Sequence, residues 1–452
     1  MDPNRIPLRS ARRPVARRRA AIALVLAALP ALAGCGVVAR GLREAATGYE
    51  TPSSPDLARA EAAWAYFASG RNPATGLVPT VGGANFTTAW TMGDQVAALV
   101  AARRFGLIDE RAFDAQFSQL LQTLNTMPLS GGALPGKVHA VDTGRLVDFE
   151  GRPADLGWSA VDVGRLLVWL RIAADRHPAY APYIANAAAR WNVCAVTDER
   201  GRLQAADRVA EGERRRPESA RGYDAYAVQG YRAWGLAVPQ PPMPPRDAEI
   251  DIQGVAFPLP ADPDAAPLIT APHALLGMEF DWRSPDGAPL AAERALVETL
   301  YRVQEARHDG EGILTARSDF RRSGEPYQLV DAVLARGYPW STATPDGKAH
   351  PRLALVSTQA ALGMDALWRT PYTARLAEAV APLNDPGAGW FEGRYEASGG
   401  YEWTRTAATN AFVLETLLFE AAGPLYPRDP APLRPATADS PVPRDCRLPA
   451  LR

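Results

Sequence analysis

Three cysteines and five histidines in 452 residues leave little material for a disulfide-built scaffold or a histidine-rich metal centre. No cofactor and no metal are expected. Lysine is nearly missing, with only Lys137 and Lys348 among 49 basic residues, as in chains from GC-rich bacteria. Charge of one sign is also missing. The 49 basic residues face 50 acidic ones for a net −1, which gives no footprint for nucleic acid. No Gly-x-Ser-x-Gly elbow, phosphate-cradling glycine loop or Cys-x-x-Cys pair occurs. His139, His177, His273, His308 and His350 read as surface or loop residues. What is present is a 47% hydrophobic, 22% charged composition, enough apolar material to bury a large core.

The first 34 residues read as an export signal. They carry seven arginines and one acid, then the apolar run Ala20–Ala33. That run is too short for a membrane span of about 20 residues. The ending Leu32-Ala33-Gly34-Cys35 resembles the bacterial lipoprotein box, in which the cysteine is diacylated and the chain is cut before it. An ordinary signal with a chance cysteine is the alternative. Arginine pairs at 12–13 and 17–18 leave twin-arginine and general export both open. Two acyl chains anchor a protein stably, where one does not. The expected setting is therefore the cell envelope, periplasm-facing, with the outer membrane favoured because Gly36 is not an acidic retention signal. Residues 35–54 read as a lipidated spacer. Without residues 1–34 the chain has 42 basic and 49 acidic side chains, net −7, which suits a neutral partner better than a polyanion. Cys194 reads as a small buried hydrophobe, although a bond to Cys446 is chemically allowed outside the cytoplasm.

Helical periodicity dominates residues 55–425, with Asp56 placed to cap the first segment. The expected helices are Leu57–Ala68, Thr88–Phe105, Glu110–Thr126, Ser159–His177, Ala179–Trp191 and Tyr223–Trp234. The series continues with Pro272–Glu279, Ala291–Arg307, Tyr327–Ala335, Leu353–Trp368, Tyr372–Val380 and Thr404–Glu420. Only pieces such as Gly254–Phe257 and Gly312–Leu314 read as extended. Turns built on Asn or Asp and Gly recur at Asn72–Gly76, Asp198–Gly201, Asp309–Gly312 and Asp385–Gly389 at irregular spacing, so this is no short-period solenoid. About twelve helices in turn-linked pairs fit an all-α, (α/α)6 toroid with minor strands in its loops and a cavity at one rim. The proline-rich stretch 236–268 cannot continue a helix and reads as a long excursion between helices. Residues 426–452, again proline-rich, read as a poorly ordered tail.

Several ordered blocks carry a family resemblance. They are Glu61–Phe67, Asn72–Pro79, Thr87–Asp94, Gly157–Leu167, Arg221–Ala227, Gly389–Glu396 and Thr404–Leu417. Together they resemble the bacterial domain-of-unknown-function 3131 family, over nearly all of residues 57–425. The pattern is also similar to the wider glucoamylase-like group of helical toroids. The resemblance implies that fold, a cell-envelope setting and a glycan ligand. Two positions depart from the family pattern: Thr91 stands where an acid follows the tryptophan, and Asp224 stands where glutamate is usual.

Glycosidic cleavage uses two carboxyl groups, one giving a proton to the leaving oxygen and one activating water or attacking directly. Sugars also stack on aromatic faces. Acids beside aromatics at helix ends are therefore the catalytic candidates. Asp94 follows Trp90 by one turn, and Asp162 follows Trp158 likewise, with Arg165 or Arg103 as a structural partner in the alternative reading. Asp224 lies between Tyr223 and Tyr226. Glu279 ends an apolar helix, where it opposes the dipole. Asp319 and Glu392 complete the set, the latter beside Arg394. The candidate sugar-binding rings are Trp90, Trp158, Tyr223, Trp282, Trp340, Trp390 and Tyr395. The expected function is glycoside hydrolysis of a cell-envelope or exported polysaccharide, or glycan binding without cleavage in polysaccharide export. A polysaccharide lyase has less support, because histidines are sparse.

Overall fold

The computed structural model describes residues 52–218, 222–243, 248–259, 266–434 and 442–451. The export signal and Cys35 lie outside the described residues. Among the described residues there are eleven α-helices: α1 Ser54–Gly70, α2 Ala89–Phe105, α3 Glu110–Thr126, α4 Ala160–Arg176, α5 Ala181–Ala188, α6 Tyr223–Ala233, α7 Ala271–Phe280, α8 Ala291–Glu311, α9 Thr358–Trp368, α10 Pro371–Val380 and α11 Ala407–Ala422.

Capping side chains set the starts. Ser53, Thr88, Asp109, Ser159, Ser357, Thr370 and Thr406 each accept a backbone N–H of the first turn. Ser53 rather than Asp56 caps α1, and Asp56 sits in the first turn. The sequence of α2 is buried almost throughout, as are those of α4, α7 and α11. A helix apolar all round belongs inside. Accordingly α2, α4, α6, α7, α9 and α11 pack side by side in that order, and α11 closes onto α2. Small residues bring α4 and α6 close. A Cβ on Gly230 would lie 2.1 Å from the Gly164 carbonyl oxygen.

Five inner helices have an outer partner, from α1, α3, α5, α8 and α10. Among the described residues the sixth inner helix, α6, has none, which corrects the expectation of twelve paired helices. The chain between α6 and α7 is the proline-rich stretch, and it contributes an antiparallel hairpin, Glu249–Ile252 with Val255–Pro258, that packs on α8. Leu268, Leu296, Val297, Leu300 and Val333 form a second apolar cluster with that hairpin.

A second correction concerns Tyr327–Ala335. Residues Gln328–Ala335 form a strand between Asp319–Arg321 and Tyr338–Ala343. Leu329, Val330, Ala332, Val333 and Leu334 are buried on both of its faces, and a short continuous apolar run carries no period to separate strand from helix. Strands are also more numerous than expected, in eight small sheets of at most three strands. Val255–Pro258 is extended as expected, but Gly312–Leu314 is not a strand. The four turn glycines, Gly76, Gly201, Gly312 and Gly389, all sit at positive φ, where a side chain is strained.

Connections entering five of the inner helices are long (71–88, 127–159, 189–222, 312–357 and 381–406), those leaving four of them are short (106–109, 177–180, 281–290 and 369–370), and the long stretch 234–270 joins the end of α6 to the start of α7. Backbone bonds stitch the long ones together, among them Ala407 N–H to Thr80 C=O at 3.1 Å and Thr358 N–H to Glu392 C=O at 3.0 Å. They make one elaborated rim around the starts of the inner helices.

The described C-terminal residues are tied to the body. Leu433–Arg434 pairs with Ala450–Leu451, Leu448 is buried, and Cys194 is disulfide-bonded to Cys446. Cys194 is therefore an exposed bridge terminus rather than a buried hydrophobe. The bond spans 252 residues of sequence. Removing it by Cys446→Ser is expected to lower stability by about 2–4 kcal/mol. A melting temperature unchanged by reductant contradicts this.

Candidate active site

The floor of the ring is an ion cluster around Arg165 of α4. Its guanidinium bonds Asp94 of α2 at 3.0 Å, Glu279 of α7 at 2.5 Å, Glu415 of α11 and the Tyr226 hydroxyl of α6 at 2.6 Å. Trp169 Nε1 and the Tyr226 hydroxyl both donate to Glu279, at 3.1 and 2.9 Å. All of these groups are buried. One guanidinium faces three carboxyls, so full ionisation would leave two uncompensated charges in a dry interior. Burial holds Glu415 well above the ordinary carboxyl range, with Glu279 adding to the rise against the pull of Arg165. Burial likewise lifts Asp94 to about 6 against the same pull. Asp94 and Glu279 were expected to be catalytic. They are closed off and ion-paired, and their place is to hold the floor.

That floor supports an aromatic shelf. The Arg165 guanidinium lies 5.4 Å from the Trp90 ring centre and 5.6 Å from that of Tyr226. Trp90 stands edge-on to Tyr223, with ring centres 4.9 Å apart. The Tyr223 hydroxyl donates to Asp319 at 2.8 Å. Trp90, Tyr223 and Asp319 are all half-buried, so each keeps a reachable edge.

The long connections bring Glu218, Asp319 and Glu392 to the same rim as Asp162 at the start of α4. Asp162 lies in the first turn of α4, where its N–H is capped by Ser159 at 3.0 Å. It is half-buried as a residue, yet protein surrounds its carboxyl, and burial lifts it to about 7. The Glu218 charge adds to the rise, while Ser159 and Arg321 oppose it. Glu218 accepts from Ser159 Oγ at 2.8 Å and Val161 N–H at 3.1 Å, and burial lifts it as well. Arg321 follows Asp319 by two residues, so both share one face of a strand whose intervening Phe320 is buried. Glu392 accepts from Arg321 N–H at 3.0 Å, Thr406 at 2.7 Å and Thr409 at 2.6 Å. Burial raises it, and these hydroxyl bonds oppose the rise. It is buried with both oxygens committed, and it anchors α11 to the Asp319 strand.

Asp224 adjoins Tyr223 of the shelf in the chain. Asp224 is half-buried at the start of α6 and accepts from the Ala225 N–H at 3.0 Å. Trp158 and Trp390 are wholly buried and present no face to a ligand. Trp390 Nε1 instead donates to the Arg59 carbonyl at 3.2 Å. Trp282 packs against Gly277, and Trp340 is covered by Arg307 with the guanidinium 4.6 Å from its ring. The Tyr395 hydroxyl is held by Glu402 and by Arg322 at 3.1 Å. His139 and His273 are buried, contrary to their surface reading. Arg103 pairs with Glu110 at 3.7 Å, not with Asp162. The sequence reading missed Glu218, Glu415 and the central role of Arg165. Glu218 has no aromatic neighbour in sequence, and Glu415 lies inside an apolar helix, where an acid with no period partner was the available signal. Among the described residues no group of three or more His, Cys, Asp or Glu is arranged to hold a metal ion. No described helix is long and apolar enough to cross a membrane.

Residues 58–423 match the family model described as a protein of unknown function, DUF3131. No curated protein matches the sequence. Solved structures share the fold. An endo-β-1,2-glucanase from Chitinophaga pinensis, in complex with sophorotriose and glucose, is 12% identical, with a TM-score of 0.58 over 83% of this chain and 94% of that one. A provisionally named glucoamylase from Bacteroides caccae is 14% identical, with a TM-score of 0.56 over 82% and 94%. A β-1,2-glucanase from Parabacteroides distasonis is 12% identical, with a TM-score of 0.56 over 83% of this chain and 58% of that one.

Proposed function

Since the chain belongs to the DUF3131 family of proteins of unknown function, we propose its activity from the chemistry of the rim: it hydrolyses glycosidic bonds in a neutral β-glucan. The observation that carries this reading is two acids in different settings: Asp162, walled in by protein at the start of α4, and Asp319, half-buried and held by Tyr223 of the aromatic shelf. Asp162, lifted to about 7, keeps its proton at mildly acidic pH and gives it to the leaving glycosidic oxygen. Asp319, held in place by the hydrogen bond from the Tyr223 hydroxyl, takes a proton from the water that attacks the anomeric carbon. The sugar cation that develops between them is stabilised by the surrounding acids. The net −7 body and the glucanases of similar fold support a neutral glucan over a charged one.

The same proposal places the mature chain in the cell envelope, anchored through Cys35 and facing the periplasm. The lipoprotein-like box supports this, as does a disulfide that an oxidising compartment preserves. A glycan-holding role without cleavage is the second reading. Thr91 favours it, because it stands where family members carry an acid and is buried against Thr80 at 2.8 Å. Reducing-end release from linear β-1,2-glucan separates the two. Asp319→Asn is expected to cut the rate about 10²- to 10⁴-fold with binding kept. Saturable binding with no release by the wild type supports the second reading and sinks the first.

A further inference from the structure

Six large apolar side chains stand more than a third exposed among the described residues: Phe149, Tyr183, Val209, Tyr327, Tyr338 and Trp403. All but Tyr183 lie in the long connections of the elaborated rim. Trp403 is the one tied most closely to the carboxyl group. It follows Glu402, which pairs with Gly393, and it precedes Thr404, whose carbonyl accepts the Glu392 N–H at 3.0 Å. Its ring is 63% exposed yet fixed from one side by Phe391 and Tyr401, at ring-centre distances of 4.9 and 5.3 Å.

We propose that Trp403 is an outer sugar-binding platform, so that the ligand is a polymer extending from the cavity over the rim. This rests on the glycan reading above. A braced aromatic face loses little freedom when a ring stacks on it, and its flat apolar surface suits the C–H face of a pyranose. The surroundings argue for a sugar rather than a protein. Charged side chains border the rings, with Arg405 over Phe391 at 5.8 Å and paired to Asp385, and Arg322 paired to Glu402. Such a site is one ring wide and flanked by hydrogen-bonding groups, unlike the contiguous apolar patch of a protein interface.

Trp403→Ala, with Trp403→Phe as the conservative control, tests this on two probes: polymeric β-1,2-glucan and its trisaccharide. Alanine is expected to raise KM, or Kd if no cleavage occurs, about three- to tenfold for the polymer only. Phenylalanine is expected to recover most of that, with melting temperatures unchanged. Equal affinity of wild type and alanine variant for the polymer overturns the platform. An equal loss on both probes also overturns it, because the ring would then belong to the central cavity. A wild type that binds neither probe fails the glycan reading itself, and the platform falls with it. A wild-type dimer that Trp403→Ala dissociates makes the ring a protein contact and overturns the proposal.

Discussion

Replacing Asp162 by asparagine is expected to lower turnover about 10²- to 10⁴-fold while raising the melting temperature at pH 8. The two effects share one cause. Burial, then the neighbouring Glu218 charge, lifts the Asp162 carboxyl from 3.8 to about 7 in the folded chain. A carboxyl raised in this way binds its proton more tightly folded than unfolded. Its contribution to stability is whole below about 4 and is lost as pH rises through about 7. A shift of this size corresponds to at most about 4 kcal/mol. Relaxation and water entry on ionisation reduce that figure, and a gain of about 1–2 kcal/mol in the variant is expected at pH 8. Near pH 4 the advantage vanishes. Asparagine cannot give up a proton to a leaving oxygen, so the rate falls at every pH. Denaturation and rate measurements at pH 5 and pH 8 check both. A variant that is slow but no more stable at pH 8 than wild type would show that Asp162 is not a strained acid.

Arg165→Met is expected to be the most damaging single change, at about 3–5 kcal/mol or more. Methionine fills much of the arginine stem but leaves Asp94, Glu279 and Glu415 facing one another without a cation. Those carboxyls come from α2, α7 and α11, so the loss reaches three other helices of the inner ring. Glu415→Gln provides the contrast. Burial raises the Glu415 carboxyl well above its ordinary range, so a neutral amide at that position is expected to be close to neutral for stability. Urea unfolding of the two variants measures the difference. An Arg165→Met protein with a wild-type midpoint would show that the cluster does not hold the ring.

The inner ring was largely legible in the sequence because its helices are periodic and carry side-chain caps, as at Thr88, Ser159 and Thr406. The outer ring was less so. Between α6 and α7 the prolines argued against a helix, and none runs there among the described residues, yet a count in pairs supplied one elsewhere, at Tyr327–Ala335. Local pattern cannot separate a doubly buried strand from a helix; the pairing with 319–321 and 338–343 decides it. For the site, the pattern of acids beside aromatics included Asp319, Tyr223 and Trp90, which are in mutual contact through Tyr223. The same pattern could not tell a reachable carboxyl from a buried one. Asp94 and Trp90 are one turn apart on α2, but Asp94 is buried in the Arg165 cluster and Trp90 is only half-buried. Depth along the ring axis is a tertiary property, and neighbours in sequence do not carry it.

The most direct test of the acid role is the pH dependence of kcat/KM on linear β-1,2-glucan. The expected profile falls at high pH with an apparent midpoint near 7, reporting Asp162 together with its coupled neighbour Glu218. Residual activity of the Asp162→Asn chain is expected to lack that limb. A rate flat from about pH 5.5 to 8.5, or a limb near 7 that survives in Asp162→Asn, would contradict the assignment of Asp162 as the proton donor.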